Sequence, residues 1–171
     1  MKKLFLAPAV AAVVFLAACG GNQTADNAGT TETTTEATTE TPAVTETKTI
    51  ELEGHDNMTF TGGTEFHVKA GQEITLTLKN VGELPKESMG HNVVILTPGT
   101  DLADFGGEAF KAKDEDYIPA TFASSIVAHT KLLGPGESDT ITFKIDTPGV
   151  YEFVCSFPGH WGTMKGTITV E

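Results

Sequence analysis

Glu73-Ile74-Thr75-Leu76-Thr77-Leu78-Lys79 alternates apolar and polar residues without a break. At a period of two, Ile74, Leu76 and Leu78 fall on one side of an extended chain and the threonines on the other, the pattern of a strand with one buried face. The same alternation runs through Thr49-Ile50-Glu51-Leu52-Glu53, Asp139-Thr140-Ile141-Thr142-Phe143-Lys144-Ile145, Val150-Tyr151-Glu152-Phe153-Val154 and Lys165-Gly166-Thr167-Ile168-Thr169-Val170. His91 to Leu96 is more continuously apolar and suits a central strand. Gly and Pro punctuate the gaps at Ala70-Gly71, Gly134-Pro135-Gly136 and Thr147-Pro148-Gly149. Short strands separated by such turns predict an all-β domain over residues 48–171, folded as a two-sheet Greek-key β-sandwich. One stretch departs from the pattern. Residues 101–116 mix Ala, Leu, Phe and charges, which predicts a short helical insertion outside the sandwich.

Working back toward the N-terminus, the composition changes at Lys48. Residues 20–47 are Gly, Asn, Thr, Glu and Ala with one proline, Pro42, no aromatic residue and almost no branched aliphatic one. Such a segment cannot bury enough apolar surface to offset its ordering entropy, and reads as a disordered Thr/Glu-rich tether. A flexible chain of this length spans about 30 Å. Before it, Lys2 and Lys3 precede an apolar run from Leu4 to Leu16, and Leu16-Ala17-Ala18-Cys19 follows. The run is too short for a comfortable membrane span and fits an export signal over residues 1–18. A Cys after two small residues resembles the lipobox of bacterial lipoproteins. That resemblance implies cleavage before Cys19, its lipidation, and residence outside the cytoplasm on a bacterial membrane, facing the periplasm or the cell surface. The domain then keeps a single cysteine, Cys155, so no disulfide can form within it.

The formal net charge of −12 comes from acids in both the tether and the domain. No basic stripe is present, so nucleic acid is an unsuitable partner. An acidic surface also repels anionic headgroups, so membrane attachment falls to the lipid, whose chains contribute about 0.8 kcal/mol per buried CH₂.

The chemistry is concentrated in Cys155-Ser156-Phe157-Pro158-Gly159-His160-Trp161-Gly162-Thr163-Met164. This loop offers a thiolate, an imidazole and a thioether, and Pro158-Gly159 permits the sharp turn that aims them at one point. Thiolate and thioether favour Cu(I), while imidazole accepts both copper states. Two His and one Cys with a weak axial Met form the blue-copper electron-transfer arrangement. The loop lacks one imidazole, and His91, which opens the apolar run after Met89-Gly90, is the candidate to supply it. The Gly90 carbonyl can approach the metal opposite Met164, with no Cβ to obstruct it. Four protein donors leave no open position for a small-molecule substrate, whereas catalytic metal sites keep one. The chain therefore reads as a one-electron carrier and not as an enzyme. Zinc is the next metal for such a loop, but thioether is a poor zinc ligand. His55, His67 and His129 form no second ligand-spaced set.

Residues from about Lys48 to Glu171 resemble the azurins, a cupredoxin family. The resemblance is carried by Leu84-Pro85-Lys86, Met89-Gly90-His91-Asn92, Ile126 to Leu132, and Cys155 through Met164-Lys165-Gly166-Thr167. With the lipobox and tether, the chain is similar to lipid-anchored azurins of Gram-negative bacteria. The resemblance implies strong ligation by His91, Cys155 and His160, and long axial contacts from Met164 and the Gly90 carbonyl. It implies that Asn92 ties the His91 segment to the loop, and that the Asn92 and Phe157 N–H groups donate to the Cys155 sulfur. It makes His160 the exposed ligand, within an apolar patch of Met58, Met89, Phe157, Pro158 and Gly159 that docks c-type cytochromes and copper or haem reductases. Trp161, next to His160, either packs the loop or enlarges that patch. Two positions depart from the family. Its usual disulfide falls at Lys48 and Gln72, and a buried His linked to pH dependence falls at Asn80.

Two other functions use the same residues. A copper storage or delivery protein has similar ligands in a more labile geometry and often more Met and His. A cell-surface interaction module relies on the tethered acidic domain more than on copper.

Overall fold

A computed structural model describes residues 46–171. The signal segment 1–18, Cys19 and nearly all of the tether 19–47 lie outside the described residues. Nine strands alternate with two helices in the order β1 (Lys48–His55), β2 (Thr59–Thr61), β3 (Glu65–Val68), β4 (Glu73–Asn80), α1 (Lys86–Met89), β5 (Val94–Leu96), α2 (Leu102–Lys111), β6 (Ile126–His129), β7 (Ser138–Lys144), β8 (Gly149–Val154) and β9 (Lys165–Val170). They form a four-stranded sheet, β2-β1-β4-β7, and a five-stranded sheet, β3-β9-β8-β5-β6.

The alternating segments are the strands, and their apolar positions make the core. Ile50 and Leu52 of β1 and Ile74, Leu76 and Leu78 of β4 are buried beneath Phe153 and Ile168 of the other sheet. The outer faces are threonine-rich, and Thr77 and Thr140 hydrogen-bond across β4 and β7 at 2.9 Å. Each sheet contains one parallel pair, β1 with β4 and β3 with β9, among antiparallel ones. Just ahead of β4, Gln72 donates its side-chain amide to the Glu46 carbonyl at 2.7 Å.

The predicted central strand is shorter than its apolar run. Only Val94–Leu96 pairs on both sides, with β8 and β6, while His91 makes a lone bridge to Leu133. Thr130 displaces a ladder bond by accepting the Val93 N–H on its hydroxyl. The chain is thereby released from the sheet just where His91 must turn toward the end of the sandwich.

The helical insertion falls where predicted and runs further. Asp101 caps α2 by accepting the Ala103 and Asp104 N–H groups, which would otherwise lack partners. Short 3₁₀ turns follow at Lys113–Glu115 and Ala120–Phe122. Phe105 and Ala109 bury the inner face of α2, and Phe105 meets Phe122 edge-on at 5.5 Å.

Candidate metal centre

The β8–β9 connection is the predicted loop. Its ends are closed by the Cys155 N–H bonding to the Met164 carbonyl at 2.9 Å, and the Met164 N–H to the His160 carbonyl at 2.8 Å. The His160 N–H bonds to the Phe157 carbonyl at 3.0 Å, across a turn in which Gly159 adopts a φ of +83°. That left-handed conformation suits glycine. These bonds hold Cys155, His160 and Met164 on one small ring of backbone.

His91 reaches the same place from the other side. The donor atoms of His91, Cys155 and His160 all lie within 4.8 Å of one another. Cys155 Sγ is 3.5 Å from His160 Nδ1 and 4.0 Å from the Gly90 carbonyl oxygen. The His91 and His160 ring centres are 5.1 Å apart. Met164 is fully buried with them. Asn92 joins the two chain segments: its carbonyl oxygen accepts the Ser156 N–H at 2.8 Å, and its amide donates to Ser156 Oγ at 2.8 Å.

The electrostatics fit a soft cation. Burial pushes the Cys155 thiol up to about 12, against the opposing pull of the Asn92 and Phe157 backbone N–H groups, which favour the thiolate. Burial holds His91 below its usual value, the more so beside His55, while the Asp56 charge and the His55 carbonyl act in the opposite sense. Burial, then the neighbouring His91, lowers His160 to about 4. Two neutral imidazoles thus face a thiol whose proton only another cation can replace at neutral pH. Neither ring nitrogen of His91 makes a hydrogen bond, although both are buried. An unpartnered buried polar atom is costly, and a metal bond relieves it. With two imidazoles and one sulfur, the donors suit copper.

Two expectations need correction. His160 is 2 % exposed, so it is not an open face of the protein. Phe157, whose ring lies 4.7 Å from that of His160, covers it. Phe157 is itself buried, 5.1 Å edge-on from Tyr117, and so drops out of the surface patch. Met58 and Gly159 remain exposed, and Met89, Pro158 and Trp161 half-buried. At Gly90, whose φ of −68° is ordinary, a Cβ would come within 2.7 Å of the Lys86 carbonyl in α1, so the lack of a side chain also lets α1 pack here.

Other contributors carry no motif. Gly54 of β1 underlies His91, and a Cβ there would lie 2.9 Å from the imidazole Cδ2. Leu133 exchanges both backbone hydrogen bonds with His91, at 3.1 and 2.8 Å. A glycine in an alternating strand was the available signal for Gly54; Leu133 had none.

A β-sandwich closed at one end over two histidines, a cysteine and a methionine defines a small copper protein. The family described as copper binding proteins, plastocyanin/azurin family, matches residues 46–171, and the chain belongs to it. The azurin of Alcaligenes faecalis is 41% identical over 123 residues, covering 70% of this chain and 94% of that protein. Outer membrane protein H.8 of Neisseria gonorrhoeae is 41% identical over 122 residues, covering 70% of this chain and 65% of that protein. Among solved structures, a reduced auracyanin from Roseiflexus castenholzii superposes with a TM-score of 0.64 at 41% identity, over 72% of this chain and 97% of that one. An azurin from Methylomonas sp. strain J gives 0.63 at 27% identity, over 72% and 98%.

Proposed function

We propose that this chain is a single-electron carrier whose copper would be held by His91, Cys155 and His160, with Met164 and the Gly90 carbonyl as weaker donors. When bound, copper supplies a Cu(II)/Cu(I) couple that gains and loses one electron. The protein supplies a rigid, dry pocket. The observation that carries this reading is the convergence of three buried donors within 4.8 Å, two of them on one hydrogen-bonded loop. A site already arranged this way has little to rearrange on each transfer. The Asn92 and Phe157 N–H groups stabilise negative charge on Cys155 Sγ, and Asn92 keeps the His91 segment in register with the loop. With four or five protein donors no position stays open for a substrate, so the chain has no catalytic role.

The partners are other redox proteins, of the c-type cytochrome and copper or haem reductase kinds. They dock on the apolar surface around the loop, formed by Met58, Met89, Pro158, Gly159 and Trp161. Met58 is held to the loop by Thr163, whose hydroxyl donates to its carbonyl at 3.3 Å. Lipidation at Cys19 anchors the domain to a bacterial membrane, and residues 19–47 tether it there. A relative named for the outer membrane supports an address in the cell envelope.

The visible spectrum of the copper-loaded protein tests this. An intense blue band that disappears in Cys155→Ser is expected from a thiolate–Cu(II) bond; a colourless copper complex overturns the proposal.

A further inference from the structure

Helix α2 carries two adjacent glycines, Gly106 and Gly107, in its interior. Glycine is a poor helix former because it gives up the most backbone freedom on ordering. The two residues have different surroundings. Gly107 is exposed, and a Cβ there would meet nothing within 4 Å. Gly106 is buried, and a Cβ there would lie 2.5 Å from Trp161 Cδ1 and 2.8 Å from its Cε2. The indole occupies the space an alanine would need.

Trp161 directly follows His160. Gly159 and Gly162 flank this pair, and a Cβ on either would touch nothing within 4 Å, so neither neighbour packs it against the rest of the fold. The hydrogen bonds of His160 and Thr163 backbone stay inside the loop. The same insertion meets the site twice more. The Tyr117 ring packs on Phe157 at 5.1 Å, and the Asp116 carbonyl accepts from Asn92 Nδ2 at 3.2 Å. Asp116 and Tyr117 have φ values of 54° and 61°, a conformation that L residues rarely adopt and that a surrounding structure must hold in place.

We infer that residues 101–122 brace the metal loop, with Trp161 seated on Gly106 as the positioning contact for His160. The indole anchors the backbone just beyond His160 to α2, so that the imidazole stays beside Cys155 with or without a metal. This rests on His160 being a copper ligand. Preorganised ligands release a metal slowly, because the loop cannot open one donor at a time.

The test uses Gly106→Ala, Gly107→Ala and Trp161→Ala in the full chain. Alanine is the better helix former at both glycines, so helix propensity alone makes the two glycine variants behave alike. The brace makes them differ. Gly106→Ala speeds copper removal by a chelator about tenfold, a shift typical of coupling between residues in contact, and Gly107→Ala leaves it unchanged. Trp161→Ala speeds removal similarly, and adding Gly106→Ala to it has no further effect, since no indole remains to displace. Trp161→Ala carries the release measurement alone should Gly106→Ala fail to fold. A second readout needs no copper. Trp161 is the sole tryptophan, so its emission in the metal-free protein shifts to the red in Gly106→Ala and not in Gly107→Ala. Unchanged emission and copper release in Gly106→Ala, or additive effects of the two substitutions, overturn the inference. If wild-type protein fails to turn blue with copper, the ligand assignment fails, while the metal-free emission still judges the seating of Trp161.

Discussion

Asn80 donates its side-chain amide to the Leu133 carbonyl at 3.0 Å, the oxygen that also accepts the His91 backbone N–H at 3.1 Å. Its own side-chain oxygen takes the Gly82 N–H at 2.9 Å. Fully buried, Asn80 therefore links the end of β4 to the segment that positions His91.

An amide has no proton to exchange in this range, so the link is the same at pH 6 and pH 8. His67 reaches solvent, which screens its charge, and His55, whose charge does act on His91, lies 3.9 Å from the Glu53 carboxylate. The reduction potential should stay nearly level over that interval. Potentiometric titration checks this against the ~59 mV per pH unit that one proton per electron would give. Replacing Asn80 with Leu removes both hydrogen bonds and should cost about 1–3 kcal/mol in urea unfolding.

Copper uptake should release protons in a defined number. In the metal-free protein the Cys155 thiol is protonated at neutral pH, because burial has pushed it up to about 12. Both imidazoles are lowered and neutral there. Each Cu(II) bound at pH 7–8 should therefore displace about one proton, from sulfur and not from nitrogen. A pH-stat titration in unbuffered solution counts it, and Cys155→Ser should abolish it.

These consequences trace to residues of unequal legibility in the sequence. The five alternating segments became β1, β4, β7, β8 and β9, because period-two alternation follows directly from having one buried face. Strands β2, β3 and β6, of three or four residues, are too short to show a period, and their pairing depends on partners far along the chain. Cys155, His160 and Met164 were legible because one loop holds all three. Placing His91 beside them needed the fold. The covering of His160 was illegible, since the Phe157 ring that packs on it is itself met by Tyr117, 40 positions earlier in the chain. Gly106 and Trp161 are each unremarkable alone, and only their contact gives either a meaning.

Gly54 bears on the site in a similar way. A Cβ there would lie 2.9 to 3.1 Å from three atoms of His91, which is buried and has no room to retreat. Gly54→Ala should tilt the imidazole, broaden the copper absorption and weaken copper binding. Overpacking of this kind should also cost about 1–3 kcal/mol of stability, measured by thermal unfolding of the metal-free protein.

Met164 would be the weaker, thioether donor. A thioether favours Cu(I), whereas an amide oxygen is a harder donor that favours Cu(II). Met164→Gln should keep the blue band and lower the potential. A potential equal to that of the wild type would mean that the Met164 sulfur does not touch the metal.

The two imidazoles also set how the metal-free protein responds to acid. An unfolded histidine takes up a proton near pH 6.5, but His160 in the fold resists until about pH 4. His91 is lowered in the same direction. Between these limits the unfolded state binds more protons than the folded one, so stability falls as pH drops from about 6.5 to 4 and this contribution levels off below. At about 1.4 kcal/mol per pKa unit, His160 accounts for at most about 3.5 kcal/mol of the loss. Urea unfolding of the metal-free protein at a series of pH values measures the slope. His160→Gln should flatten it, because glutamine leaves nothing to protonate, whereas carboxylate titration, which both proteins share, would leave the two slopes equal.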